Sequence, residues 1–467
     1  MAFALAWGLL SAEHAEHSSN AHQAPDAWII GTLPFAVILG AIALLPLIPA
    51  TAGWWHSNLS RFVVSVLCGL ATLTYVWIVL GWDAVGLTLN HALLQEYVPF
   101  IILLFSLYVI SGGIHIGGDV RASPAVNTGW LAFGALIASF IGTTGASMLL
   151  IRPLLNTNRE RKHKVHTVVM FIFLVSNIGG TLLPIGDPPL FLGYLEGVPF
   201  LWTFGLWIPW AFACTLLLAI YFVWDTVIYA KESDAVKIFD RTNVQPLHLK
   251  GSINILWLFG VVLCVALIIP GNVVPLTQFE AFNFLRELAM LGLVALSLIT
   301  TRRSVRESNQ FEYGAILEVA ALFLGIFIAM QVPIEVLKSQ GEGIAKALSE
   351  PWMYFWITGG LSSVLDNAPT YLVFFKLAEA GTPTGAPGAL ELLGGGWIME
   401  NPLIAISLGA VFMGAMTYIG NGPNFMVKAI AEQTGVRMPS FFGYVFRYSI
   451  PVLVPVFILV TLLIIWL

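Results

Sequence analysis

Asp187 and Asp366 are the side chains of this sequence best placed to do chemistry, because each stands inside an otherwise apolar stretch. Away from water a carboxylate costs several kcal/mol unless it is hydrated, paired or bound to a cation. Each is set among neutral oxygens. Thr143, Thr144, Ser147 and Asn177 accompany Asp187, and Ser362, Ser363, Asn367, Thr370, Asn421 and Asn424 accompany Asp366. One carboxylate with hydroxyl, amide and freed backbone carbonyl oxygens suits a small hard cation. A single Asp neutralises Na⁺, and a proton can take its place. The competing role is structural, since Asp187 precedes Pro188 and Pro189, and Asp366 precedes Asn367 and Pro369, as helix-capping aspartates do. The two roles are compatible.

These residues lie in a pattern that occurs twice. Ile185-Gly186-Asp187-Pro188-Pro189-Leu190-Phe191 aligns with Ile419-Gly420-Asn421-Gly422-Pro423-Asn424-Phe425. Each stretch follows a second broken segment, Gly142-Thr143-Thr144-Gly145-Ala146-Ser147 in one half and Leu365-Asp366-Asn367-Ala368-Pro369-Thr370 in the other. Gly179, Gly180, Gly186, Pro188 and Pro189, with Gly414, Gly420, Gly422 and Pro423, permit unwinding and close approach of one segment to another. Small residues also serve ordinary helix packing. Interrupted segments at corresponding places in two halves point to the binding site of a secondary transporter.

The elements that must position these residues are membrane helices. Hydrophobic residues make up 58% of the chain and charged residues 10%, with a mean hydropathy of +0.85. A soluble chain carries about 25% charged residues. Apolar runs recur from Trp28 onward at about the 20-residue length that crosses a bilayer. Expected spans are 28–50, 61–81, 98–116, 165–195, 200–230, 251–270, 284–300, 314–332, 401–432 and 443–467. Two further segments, 129–156 and 351–380, are interrupted by small and polar residues. They are expected to be re-entrant hairpins, since broken backbone at membrane depth must line a cavity or be covered by protein.

Loop charge sets the orientation. With the N-terminus outside, inner loops collect Arg61, Arg121, Arg159, Arg161, Lys162, Lys164, Lys231, Lys237, Arg241, Lys250, Arg302, Arg303, Arg306, Arg437 and Arg447, while outer loops hold Lys338 and Lys346. This matches the positive-inside bias and requires both hairpins to be non-spanning. The expected fold is therefore an all-α integral membrane protein of two inverted repeats, each of five spanning helices plus one hairpin. An extracytoplasmic tail (1–27) precedes the first repeat (28–230), and a cytoplasmic linker (231–250) joins it to the second (251–467). Both termini fall outside the cytoplasm. Trp54, Trp55, Trp82, Trp202, Trp207 and Trp352 mark span ends.

The remaining polar residues are less informative. Cys68, Cys214 and Cys264 are isolated in apolar runs, which argues against a disulfide framework or a metal cluster. His14, His17 and His22 lie in the polar tail, where no rigid element fixes a ligand geometry. The first eleven residues lack the positive region of a signal peptide. Arg152 reads as a snorkelling cation or a substrate contact. Glu318 and His115 read as rim residues or proton-relay groups.

The stretches SNIGGTLLPIGDPPLF, SSVLDNAPT and YIGNGPNF resemble the ion transporter superfamily of arsenite permeases, D-type sodium–proton antiporters, citrate transporters and sodium–dicarboxylate symporters. The likeness runs over roughly 28–467 and is greatest to its citrate-transporter and sodium–proton-antiporter branch. It implies two inverted repeats, each bringing a hairpin tip against a broken helix, and an elevator-like displacement of that unit against a scaffold. Thr143, Thr144 and Ser147 would then form one tip with Asp187 on its partner helix, and Asp366, Asn367 and Thr370 the other with Asn421 on its partner. The resemblance also implies a homodimer in a bacterial inner membrane. One departure concerns substrate. Dicarboxylate symporters carry Ser-Asn-Thr at the tips, where this chain has Thr-Thr-Gly-Ala-Ser and Asp-Asn-Ala-Pro-Thr.

An Asp facing a citrate carboxylate repels it unless a cation intervenes. The expectation is therefore a sodium (or other small cation)/proton antiporter, with a cation-coupled carboxylate transporter as the alternative. No cofactor beyond Na⁺ and H⁺ as coupling ions, no enzymatic activity and no nucleic-acid partner are expected; the partners are the lipid bilayer, small cations and a carboxylate. An intramembrane aspartyl protease, whose paired Asp share a proton, would show Tyr-Asp, Gly-x-Gly-Asp and Pro-Ala-Leu, and the chain has Pro184-Ile185-Gly186-Asp187 instead. A passive channel needs no titratable pair.

Overall fold

The structure, a computed structural model, describes residues 28–466 apart from 56, 243, 276–279 and 349. The tail 1–27, with its three histidines, lies outside the described residues. Helices dominate, and their outward faces are apolar: Ile29 is 78% exposed, Ile78 74%, Trp82 70% and Ile299 81%. Apolar side chains both inside and outside identify a protein whose solvent is lipid.

Among the described residues six helices are long and apolar enough to cross a membrane: Asn58–Leu80, Trp82–Ser111, Pro124–Ile141, Trp202–Ala230, Gly314–Ser339 and Phe441–Ile465. Several expected spans differ from this. The run 28–50 is bent by 103° between Trp28–Leu44 and Pro49–Trp55, where Pro46 and Pro49 offer no backbone N–H to continue the ladder. Residues 82–97, expected as a loop, are helical and continue through a π-turn at Asn90–Tyr97 into Val98–Ser111. The runs 165–195 and 401–432 are both broken, with 3-10 turns at Ile178–Thr181, Pro184–Gly186 and Gly414–Met416.

The two interrupted segments are helix–turn–helix units. Pro124–Ile141 packs against Thr143–Thr157, with Gly142 at φ 77° between them, a conformation only glycine adopts freely. Ser123 caps the first leg by accepting from Val126 N–H. Pro351–Ser362 turns back into Asn367–Ala380, whose N-cap is Asp366. The packing crosses between halves. Thr143–Thr157 lies on Gly422–Gln433, and Asn367–Ala380 lies on Pro188–Leu195. Each first leg instead packs within its own half, Pro124–Ile141 on the Ile178–Thr181 turn and Pro351–Ser362 on Glu400–Met413. A separate layer joins Asn58–Leu80 to Gly314–Ala329.

Two short antiparallel ribbons accompany the helices of this all-α membrane protein. His115–Asp119 pairs antiparallel with Gln245–Lys250, and Ala389–Glu391 pairs with Trp397–Met399. His115, expected at a helix end, opens the first ribbon opposite Lys250, and its Nδ1 meets Asn309 Oδ1 at 2.7 Å. The segment expected as a linker holds the helix Asp234–Thr242, and Asp240 accepts Ala122 N–H at 3.0 Å.

Two arginines expected as loop charges are buried in ion pairs, Arg61 inside a helix and Arg161 in the loop before Val165–Leu174. Arg61 lies within Asn58–Leu80 and is 6% exposed. Arg161, 3% exposed, donates to both oxygens of fully buried Asp225, and His166 Nε2 meets Asp225 Oδ1 at 2.8 Å. Asn127 reaches the same carboxylate at 3.4 Å and exchanges reciprocal amide bonds with Asn158 at 2.9 Å. This cluster ties both feet of the first hairpin to the helix Trp202–Ala230. Asp225→Ala leaves Arg161 buried without its counter-charge, so it is expected to destabilise the protein by about 3–5 kcal/mol. Denaturation of the purified variant in detergent checks this.

Candidate functional site

Asp187 occupies the N-cap position of Pro188–Leu195, yet its side chain makes no capping hydrogen bond. It is 1% exposed. Oδ1 accepts from Thr143 Oγ1 at 2.8 Å and from Asn421 Nδ2 at 2.9 Å, and Oδ2 accepts from Asn367 Nδ2 at 2.7 Å. One carboxylate is thus held by the first hairpin tip, the second hairpin tip and the second broken helix. All three donors are neutral, and among the described residues no basic side chain pairs with it. The N-terminus of its own helix offsets part of the charge. Asn367 Oδ1 is buried with no hydrogen-bond partner among the described residues.

Around this centre the polar side chains interlock across the halves. Asn177 Nδ2 donates to Asn424 Oδ1 at 2.7 Å, and Asn424 Nδ2 donates to the carbonyls of Gly414 and Thr417. Asn421 Nδ2 also reaches Ser176 O at 3.1 Å and Asn177 Oδ1 at 3.3 Å. Ser147 Oγ meets Ser176 Oγ at 2.7 Å. The unwound segments fit because glycine stands at their closest approaches. A Cβ on Gly186 would lie 2.2 Å from Gly180 O, and one on Gly420 would lie 2.6 Å from Gly414 O. Gly179 packs on Ala135 in the same way, whereas Gly422 has open space. Pro188–Pro189 and Pro423 stand in the first turn of the two half-helices, where a missing N–H is harmless.

Asp366 is placed differently. It is half-buried, and its side chain caps Asn367–Ala380 by accepting from Ala368 N–H at 3.1 Å. Thr370 Oγ1 bonds back to the Asp366 carbonyl at 2.9 Å and makes no bond to Asp187. Asp366 lines a cavity of about 330 Å³ together with Thr143, Thr144, Gly186, Pro188 and Asn421. The cavity runs to Arg61 and Glu318 on the neighbouring layer, where Arg61 Nη1 meets Glu318 Oε2 at 2.6 Å. Trp55, expected as an interfacial anchor, is 3% exposed and lines the same space.

Sequence reasoning missed three contributors. Ser139 Oγ donates to Gly179 O at 2.6 Å and accepts Leu182 N–H at 2.9 Å, pinning the first break. Thr417 Oγ1 accepts Ile419 N–H and Gly420 N–H and so pins the second. Arg61 faces the cavity as the partner of Glu318. The signals were a serine four residues before each tip residue (Ser139 before Thr143, Ser362 before Asp366) and an arginine at the head of an apolar run. Among the described residues no group of three or more His, Cys, Asp or Glu side chains is placed to hold a metal.

A helical membrane protein whose buried, uncompensated carboxylate sits where two hairpins meet two broken helices, beside a cavity, is built as a secondary transporter. Its family follows from the sequence match. The chain belongs to the family described as "Putative citrate transport", whose profile matches residues 23–465. That family consists of transporters rather than enzymes. No curated protein matches the chain in sequence.

Proposed function

We propose that this transporter exchanges a small monovalent cation, Na⁺ or Li⁺, for a proton by alternating access. The observation that carries the reading is Asp187, buried with three neutral donors, free of a capping role and, among the described residues, without a basic partner. A buried carboxylate in that setting is stable only when protonated or when bound to a cation. Competition between those two states is the coupling step of an exchanger. Rotation of the Asn367 amide turns its unpartnered Oδ1 toward Asp187, so that Asp187, Asn367 Oδ1 and Thr143 Oγ1 offer an all-oxygen site.

The same reading takes 28–230 and 251–467 as inverted repeats, with both hairpins entering and leaving on one side. The basic segments 156–167, 231–250 and 301–313 then face the cytoplasm and both termini face outward, in a bacterial inner membrane. The hairpins and broken helices would move as one unit against the Asn58–Leu80 and Gly314–Ala329 layer, carrying the site past the cavity.

A cation-coupled carboxylate transporter is the second reading, favoured by the family's description and by Arg61, whose Nε is buried in the cavity wall without a partner among the described residues. Glu318 already occupies the other end of that guanidinium, which weakens it as a citrate contact. Proteoliposomes separate the two. Addition of Na⁺ or Li⁺ without citrate is expected to move protons, with apparent cation affinity rising with pH as the proton leaves the shared site. Cation-dependent uptake of labelled citrate, with no internal pH response to Na⁺ or Li⁺ alone, would replace exchange with citrate symport.

A further inference from the structure

A second cavity, of about 430 Å³, lies apart from Asp187 and is basic. Arg152, Asn156 and Arg159 come from the second leg of the first hairpin and the turn after it, and Lys164 precedes Val165–Leu174. Gln310 comes from the turn after Arg303–Ser308, and Gln433 ends Gly422–Gln433. Among the described residues no carboxylate lines the space. Arg152 Nη2 donates to Gln310 Oε1 at 3.2 Å, but its Nη1 is buried with no partner among the described residues. Gln310 is held at φ 48°, a left-handed conformation uncommon for a residue with a side chain. Arg159 is matched by Glu160 at 2.9 Å, and Lys164 Nζ donates to the Arg159 carbonyl at 3.1 Å. Among the described residues Arg152 has no acidic partner, whereas the charge of Lys164 is shared with Glu160 and Glu232 nearby.

We propose that this cavity binds a phosphate-class oxyanion, with Arg152 Nη1 and Lys164 Nζ as its principal donors. A desolvated guanidinium nitrogen with no acceptor is a costly feature in a protein, and an anionic oxygen at that point removes the cost with a charge-assisted bond. The ligand would bridge the first hairpin, the 303–310 turn and the second broken helix, and so favour the arrangement in which these three meet. Two sources carry this chemistry, the phosphodiester of an anionic phospholipid and soluble phosphate.

The test uses the full-length, delipidated protein in detergent. Thermal melting is followed with inorganic phosphate against sodium chloride at equal ionic strength, and lipid retention is followed by native mass spectrometry with phosphatidylglycerol against phosphatidylcholine. A phosphate-specific rise in Tm assigns a soluble anion, and selective retention of phosphatidylglycerol assigns a headgroup. In either case Arg152→Gln, and separately the half-exposed Lys164→Gln, should weaken binding about tenfold. If Arg152→Gln does not fold, Lys164→Gln decides alone. The site is refuted if phosphate acts only as chloride does and the two lipids are retained equally. It is refuted equally if the variants bind as tightly as the parent.

Discussion

Asp187→Asn is expected to reduce cation–proton exchange to the level of protein-free liposomes while the protein folds as well as the parent or better. Asparagine keeps the shape of the side chain. Its oxygen can still accept from Thr143 and Asn421, and its amide can donate to Asn367 once that amide rotates and presents the oxygen that now lacks a partner. What disappears is the charge, and with it the site's affinity for a cation and its ability to carry a proton. Burial of an unpaired carboxylate is itself unfavourable, so the variant loses a destabilising feature when no cation is present. Two measurements therefore move in opposite directions. Transport vanishes, and the melting temperature without Na⁺ stays level or rises. Stabilisation by Na⁺, worth about 2.7 kcal/mol at a hundredfold excess over Kd for a single site, should also be absent. Exchange at the parent rate would leave Asp187 as structural packing only.

Asp366→Asn is expected to lower exchange at least about tenfold with little change in stability. Asparagine caps a helix about as well as aspartate, so the bond to Ala368 N–H persists and Asn367–Ala380 keeps its start. The carboxylate that faces the cavity is lost. Asp366→Ala removes both charge and cap and should cost about 1 kcal/mol more in stability. The paired variants thus separate the two roles of this residue. If Asp366→Asn transports normally and Asp366→Ala is merely less stable, the residue serves as a cap and takes no part in exchange.

Much of the site was legible in the sequence because the bilayer makes polar residues conspicuous. Asp187, Thr143, Asn367 and Asn421 all stood out as breaks in apolar runs, and all four converge. The repeat of Ile-Gly-Asp-Pro-Pro and Ile-Gly-Asn-Gly-Pro marked the two breaks, which the glycine contacts explain, since no side chain fits at Gly186 or Gly420. Arg61, expected in a loop, lies in a helix, and Arg161 lies in a loop as expected but is buried. Position along a chain does not reveal that an arginine near a helix end has a buried acid from a distant segment beside it, as Glu318 and Asp225 are. The bend after Leu44 and the helix over 82–97 were missed for a related reason. Hydropathy measures solvent preference, and it is blind to whether an apolar run is straight and whether a moderately polar run is still helical.

By itself the sequence determined that this chain lives in lipid, that a few polar residues interrupt its apolar segments, and that the break occurs twice. Those conclusions rest on the cost of putting polar atoms in hydrocarbon, which is written in composition and spacing. Only the tertiary structure decided how the pieces combine. Each hairpin's second leg packs on the broken helix of the opposite half, and one carboxylate at the crossing collects donors from three elements while the other caps a helix at the cavity wall. A local pattern specifies which residues are polar and where the backbone breaks. Which of those residues touch is settled by long-range packing, where contacts such as Asp187 to Asn367 join positions 180 residues apart.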